Sequence, residues 1–317
     1  MPDRALDELL DQAIDAILAG AVAETSAPEL DSLVRVASAL REMPAEDFQV
    51  RLKTELQRRA NMTAATAAPA VIRTVTPFIS VIEGAKLIDF MKHTFAAEET
   101  SRHPHGTDGF VAGVRIGDSD LLIMGGESLR GQEGTAALHV YVKDCDAAYQ
   151  RALEAGATSL GEPADRSYGE RAGFVKDFAG NRWYIATRFP SAVTPPGGAS
   201  VVPFLHPLKA RVFIDFLKRA FGAEEIAVYE HAGHVMHAVV RIGATVLEMG
   251  EPNEAQPPST LYVHTDDVDA VYHRATAAGA ISILPPADQA YGDRMAILQD
   301  PFGNRWLPAT PTKDVKR

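Results

Sequence analysis

A chain of 317 residues that is 46% hydrophobic and 23% charged holds enough apolar material for two or three compact domains, which excludes global disorder. The net charge of -11, with no basic run longer than Arg58-Arg59, excludes the usual electrostatics of a nucleic-acid binder. Cys145 is the only cysteine, which excludes an intrachain disulfide and fits a reducing cytoplasm, and no apolar stretch or leader pattern points to export or a membrane span.

Residues 1–60 carry helical periodicity. Leu6, Leu9, Leu10, Ala13, Ile14, Ile17 and Leu18 share one face of a helix ending at Gly20. Ser26-Ala27-Pro28-Glu29 offers a capping box to a second helix carrying Leu30, Leu33, Val34, Ala37 and Leu40, and Pro44 opens a third through Phe48, Leu52 and Leu56. Such short stripes bury little alone. The segment is expected to pack on the rest of the chain or on another subunit, so a homodimer or a helix-docked partner is the protein partnership to consider. Residues 61–73 read as a linker.

Beyond the linker the chain matches itself. Residues 74–190 and 200–312, separated by a Pro/Gly-rich linker at 191–199, align in order: Pro77 with Pro203, Asp89 with Asp215, Phe95 with Phe221, and Arg115-Ile116-Gly117 with Arg241-Ile242-Gly243. Further on, Asp144 and Asp146 meet Asp267 and Asp269, Tyr168 to Arg171 meets Tyr291 to Arg294, and Gly180-Asn181-Arg182-Trp183 meets Gly303-Asn304-Arg305-Trp306. Aligning Met124 with Met249 sets Glu248 against Ile123.

Each copy repeats its element order again. A strand near Phe78 precedes a helix over 85–95 and strands over 110–116 and 121–124; a strand over 138–142 precedes a helix over 146–155 and strands over 172–176 and 183–186. The pattern is βαβββ twice per copy, an α+β fold of mixed sheets with helices outside.

The D-F of the first helix with F-G-A-E (Phe221 to Glu224), V-x-D-V-D-A (Val263 to Ala270), and Y-G-D-R with D-P-F-G-N-R-W (Tyr291 to Arg294, Asp300 to Trp306) together resemble the vicinal oxygen chelate superfamily. That family includes glyoxalase I, bleomycin-resistance proteins, fosfomycin-resistance enzymes and extradiol dioxygenases; within it the likeness is to the PhnB-like branch. The resemblance covers residues 74–312 and implies that the two modules of each copy curl into a cup that binds small molecules on its concave face. It also implies a divalent metal held by four strand positions. Here these fall near Thr76, Ile123, Ala137 and Tyr184 in one copy and Val202, Glu248, Thr260 and Leu307 in the other, with Ser80, His206, His139, Tyr262 and His264 as neighbours on the same strand faces. Glu248 is the one plausible metal ligand among the eight. One carboxylate and scattered histidines do not close a zinc or iron shell. No cofactor is therefore expected, with a composite site pairing Glu248 with His139 or His264 across the copies as the alternative.

Other residues carry two readings each. Tyr168, Arg171, Tyr291 and Arg294 either shape turns, each Arg pairing with Asp177 or Asp300, or grip a planar or anionic ligand at a cup mouth. Trp183 and Trp306 either stack a ligand or fill the core. His231, His234 and His237, like His103 and His105, are expected in loops and at edges, and Cys145 at an inert apolar position. The functional expectation is a small-molecule-binding protein that holds an aromatic or amphipathic ligand without a metal, using Tyr168, Arg171, Trp183, His139, Tyr262, His264, Tyr291, Arg294 and Trp306. A divergent metal-dependent lyase, isomerase or dioxygenase is the second reading. A ligand-sensing scaffold that docks through residues 1–60 is the third.

Overall fold

The computed structural model describes residues 72–166, 169–189 and 199–312. The helical readings of residues 1–60, nearly all of the first linker, and Tyr168 fall outside the described residues.

The expected βαβββ order occurs four times. Module one holds β1 (Ile72–Val81), α1 (Gly84–Phe95), β2 (Glu98–His105), β3 (Gly109–Ile116) and β4 (Ser119–Gly125). Module two holds β5 (Ala137–Tyr141), α2 (Cys145–Glu154), β6 (Thr158–Arg166), β7 (Glu170–Lys176) and β8 (Arg182–Arg188). Module three holds β9 (Val201–Leu205), α3 (Ala210–Phe221), β10 (Glu224–His231), β11 (His234–Ile242) and β12 (Thr245–Met249). Module four holds β13 (Thr260–Thr265), α4 (Val268–Ala277), β14 (Ile281–Asp288), β15 (Asp293–Gln299) and β16 (Arg305–Pro311).

Local chemistry sets these boundaries. In α1, Leu87, Ile88, Met91, Thr94 and Phe95 recur at three and four residues and are all buried, and α3 repeats the stripe with Phe213, Ile214, Phe216, Leu217 and Phe221. Asp144 and Asp267 cap α2 and α4 by accepting the amides of Ala147 and Ala270 at 2.9 and 3.0 Å. The first helix of each copy ends on a left-handed residue, Gly222 after α3 but Ala96 after α1.

The strands form two eight-stranded mixed sheets, and neither belongs to one copy. The order β14-β15-β16-β13-β1-β4-β3-β2 joins modules four and one into what we call the outer sheet. The order β10-β11-β12-β9-β5-β8-β7-β6 joins modules three and two into the inner sheet. Each seam is antiparallel, β1 with β13 and β5 with β9, while the first and last strands of a module run parallel. The expectation that the two modules of one copy share a cup is therefore corrected: each sheet draws one module from each copy. What the modules of a copy share is a hydrophobic core. α1 and α2 cover one cluster that includes Ile79, Leu138 and Trp183, and α3 and α4 cover the other, with Leu205, Leu261 and Trp306. Strand alternation makes this consistent, since Leu138 and Val140 point into that core while His139 and Tyr141 point to the sheet's other face.

The hairpin motif is architecture in both copies. Asp177 accepts from the amides of Ala179 and Asn181, from Asn181 Nδ2 and from Trp183 Nε1 at 2.9 to 3.0 Å, and Asp300 repeats the set with Phe302, Asn304 and Trp306 at 2.8 to 3.0 Å. Both tryptophans are fully buried on the helix side, packed among the core residues. The histidines expected in loops and at edges, His103, His105, His231, His234 and His237, lie on the edge hairpins β2–β3 and β10–β11.

Candidate functional site

On the face of the inner sheet turned away from the helices, β5 presents His139 and Tyr141, β7 presents Glu170 and Phe174, and β8 presents Tyr184 and Arg188. From the other copy, β9 brings Phe204, β11 His237 and β12 Glu248. These side chains form a buried polar centre under aromatic walls.

His139 lies between two carboxylates. Its Nδ1 is 2.7 Å from Glu248 Oε2 and its Nε2 is 3.3 Å from Glu170 Oε2. Tyr141 stacks on the imidazole with ring centres 4.3 Å apart, and its hydroxyl donates to Glu248 Oε1 at 3.2 Å. The Arg188 guanidinium sits 3.4 Å from the Tyr141 ring centre and 3.7 Å from Glu170 Oε1, and His237 Nε2 is 3.6 Å from Glu248. The walls are Phe174, Tyr184, Phe204 and His206, with Tyr184 Oη 2.7 Å from His206 Nε2.

The electrostatics follow from burial and pairing. Burial opposes a charge on His139, but the carboxylates of Glu170 and Glu248 outweigh it and raise its pKa to about 9. Burial likewise pushes Glu248 up, yet hydrogen bonding from His139 and His237 overcomes it and holds the carboxyl well below the usual range. Burial, then the charges of Glu248 and Glu170, drive the Tyr141 hydroxyl upward, so it stays a donor. His206 is the opposite case, lowered to about 4 by burial and by Arg182. At neutral pH Tyr184 therefore donates to a neutral His206. Three buried polar atoms, His139 Nε2, Glu170 Oε2 and Arg188 Nε, have no hydrogen-bond partner, and all three lie around the Glu170 carboxylate.

Of the residues expected in a site, His139 and Glu248 are brought together, one from each copy. His264 is on the outer sheet and does not join Glu248. Tyr262 occupies the outer sheet's position corresponding to His139, and donates to Asp293 Oδ2 at 2.8 Å. Tyr291 is exposed with its hydroxyl 3.4 Å from Met295 Sδ. Arg171 and Arg294 point to the helix side, where each binds both oxygens of an acidic residue in the first turn of a helix, Asp146 or Asp269, and a further carboxylate, Asp165 or Asp288. They do not pair with Asp177 or Asp300, whose oxygens are engaged by the hairpin and the tryptophan. Cys145 is buried with its thiol donating to the Ile185 carbonyl, and burial pushes its pKa up.

Glu170, Arg188 and His237 are functional candidates that the linear pattern missed. The register also moves by one residue: Glu248 pairs with Val239 and Phe204 as Leu122 pairs with Gly113 and Phe78, so its counterpart is Leu122 rather than Ile123. The length difference between copies falls after these strands.

The divalent metal implied by the resemblance does not fit this donor set. An imidazole binds an ion through one nitrogen, and the two ring nitrogens of His139 face carboxylates on opposite edges. Across the inner seam, His139 pairs with Val202, which has no donor atom in its side chain. On the last strand His139 pairs with Tyr184, whose phenol is engaged with His206 at 2.7 Å. Among the described residues no three His, Cys, Asp or Glu side chains form a group that could hold a metal ion. Nor is any described helix long and apolar enough to cross a membrane.

Residues 73–185 and 210–307 match the family model described as the Glyoxalase/Bleomycin resistance protein/Dioxygenase superfamily. Uncharacterized proteins of Mycobacterium bovis and Mycobacterium tuberculosis strain H37Rv are each 34% identical over 116 residues, which is 32% of this chain and 76% and 68% of theirs. The crystal structure of glyoxalase I from Zea mays is similar with a TM-score of 0.61 at 15% identity, covering 76% of this chain and 93% of that one. At that identity the likeness is one of fold.

Proposed function

Because this chain belongs to the Glyoxalase/Bleomycin resistance protein/Dioxygenase superfamily, we propose that the cup of its inner sheet binds a small aromatic or amphipathic molecule without a metal. We read the chain as a tandem duplicate of the PhnB-like branch acting in the cytoplasm on a small-molecule ligand, not on nucleic acid or membrane. The observation that carries the reading is the set of three buried atoms around Glu170 that are ion-paired but make no hydrogen bond. A ligand hydroxyl accepting from His139 Nε2–H and donating to Glu170 Oε2 would satisfy two of them, and Phe174, Tyr184 and Phe204 offer flat surface to the ring that carries it. With His139 charged, the cations of His139 and Arg188 offset the carboxylates of Glu170 and Glu248. Such a floor suits a neutral, polar-tipped ligand.

The test is a thermal-shift and native mass spectrometry screen of planar phenols and aromatic acids against protein purified without a His tag. Binding by metal-free protein, lost in Glu170→Gln and His139→Phe, is the expected result. A second reading, a metal-dependent lyase, isomerase or dioxygenase, is favoured by one observation: His139 and Glu248 stand on two of the strands that carry the family's metal positions. Near-stoichiometric Zn, Mn, Ni or Fe in the same preparation, with binding or turnover abolished by its removal, would establish that reading and overturn ours.

A further inference from the structure

A cavity of about 460 Å³ lies on the outer sheet, far in chemistry from the His139 centre. Thr76 of β1, Thr100 and Ser101 of β2, Gly113 of β3 and Asp120 of β4 line it, and the inner sheet closes it with Pro203 of β9 and Val246 of β12, the latter being the edge of a packed valine cluster. In the inner sheet the corresponding space is filled. Val202, Val239 and Val246 form a small buried cluster there, with Tyr141 and Ala199 packed on it. Strand pairing sets Thr76 against Tyr262 as Val202 is set against His139, Gly113 against Leu122 as Val239 against Glu248, and Arg115 against Asp120 as Arg241 against Val246. Thus a threonine, a glycine and an aspartate of one copy stand where the other has three packed valines. Conversely, Tyr262, Leu307, Leu122, Met295 and Ile297 fill the part of the outer sheet that corresponds to the polar centre of the inner one. The two cups are hollowed in different places.

The hollow in the outer sheet is built for hydroxyl groups. A Cβ on Gly113 would lie 2.7 Å from Thr100 Oγ1 and 2.9 Å from Ser101 Oγ, so glycine is what allows both hydroxyls to stand there; the second copy has Ile226 and Ala227 instead. Arg115 is committed to both oxygens of Asp120 at 2.8 and 3.3 Å, and the Asp118 carboxylate at the rim accepts from Ser200 N at 2.7 Å and from Ser119 Oγ at 2.9 Å, so the charged groups already have partners of their own. Thr74 and Thr245 bond each other and the β1 backbone, which leaves Thr76 and Thr100 to serve a ligand, each able to donate and accept, together with the Ser101 hydroxyl, which accepts from Gly113 N at 3.2 Å and keeps its proton to donate. We propose that this cavity is a second ligand site, independent of the His139 centre, for an uncharged, hydroxyl-rich molecule of monosaccharide or cyclitol size. Its volume lies in the ordinary range for small-molecule sites.

The test titrates the full chain with glucose and myo-inositol by ligand-observed NMR. Saturable binding of at least one probe is expected. Thr76→Val removes one hydroxyl while keeping its shape and should weaken binding roughly tenfold. Gly113→Val, which rebuilds the second copy's valine, should abolish it; because that side chain presses on Thr100 and Ser101, Thr76→Val serves as the readout if the variant fails to fold. Glu170→Gln, in the other cup, should leave probe binding within twofold. Absence of saturable binding by both probes would overturn the proposal. Binding that survives Thr76→Val unchanged, or that Glu170→Gln abolishes, would do the same.

Discussion

The outer and inner sheets share strand order, seam geometry and register, yet their cup faces have diverged in opposite directions. Where the inner sheet has His139 and Glu248, the outer has Tyr262 and Leu122; where the inner has His237 and Arg188, the outer has Val111 and Pro311. The helix-side face tells the reverse story, with Asp177 and Asp300 holding Asn181 and Asn304, and Trp183 and Trp306, through matching bonds. The contrast separates two kinds of constraint. Positions that hold the hairpins and cores stayed equal between copies, and positions on the cup faces did not.

That separation can be broken by measurement. The largest effect should come from His139→Ala, which leaves the Glu170 and Glu248 carboxylates buried without their shared cation. Urea unfolding should show a loss of about 3–5 kcal/mol, whereas Tyr262→Phe at the corresponding outer position loses one hydrogen bond and about 1 kcal/mol. Equal costs for the two would erase the distinction between the cups. Next, Asp177→Ala and Asp300→Ala should each cost about 3 kcal/mol, because each removes four bonds and orphans a buried indole N–H; unequal losses would show that the copies differ in architecture as well.

A pH dependence of similar size comes from the inner sheet's two buried histidines. His139, raised from 6.5 to about 9, contributes stability that is complete below pH 6.5 and lost as pH rises through 9. His206, lowered from 6.5 to about 4, contributes stability that is complete above pH 6.5 and lost as pH falls toward 4. Stability should therefore peak near pH 6.5, with each limb worth about 3 kcal/mol, and His139→Gln should flatten only the alkaline limb. The smallest effect concerns a place where the copies differ without function. Ala96 ends α1 at φ 54° where Gly222 ends α3 at φ 69°, so Ala96→Gly should stabilise, and Gly222→Ala destabilise, by about 0.5–1 kcal/mol in the same assay.

Much of this fold is legible in the sequence. The helix expected over 85–95 is observed at Gly84–Phe95, because Leu87, Ile88 and Met91 mark its buried stripe, and the D-x-x-G-N-R-W signature gives the hairpin that it encodes. The second strand of each module could not be placed by pattern. β2, β6, β10 and β14 are sheet edges exposed on both faces, so no apolar alternation marks them. Nor could alternation choose β13 over a strand of the same copy as the partner of β1, since either pairing buries the same face. The site was legible in fragments: His139 and Glu248 stood out singly, but Glu170, Arg188 and His237 come from three different strands and meet only through the seam between β5 and β9. The usable signal was the disagreement between copies, polar in one and apolar in the other, once the register was set by strand pairing rather than by matching Met124 to Met249.

The crossed seams also order the events of folding. β5 meets its partner β9 as soon as the third module exists, whereas β1 waits as an open edge for β13 in the fourth. During synthesis the pairings close like nested brackets, the inner pair before the outer. The cup that carries His139 can thus assemble first and template the rest, while the long-range β1 to β13 pairing is the slow step that leaves a strand edge open to aggregation until the fourth module emerges.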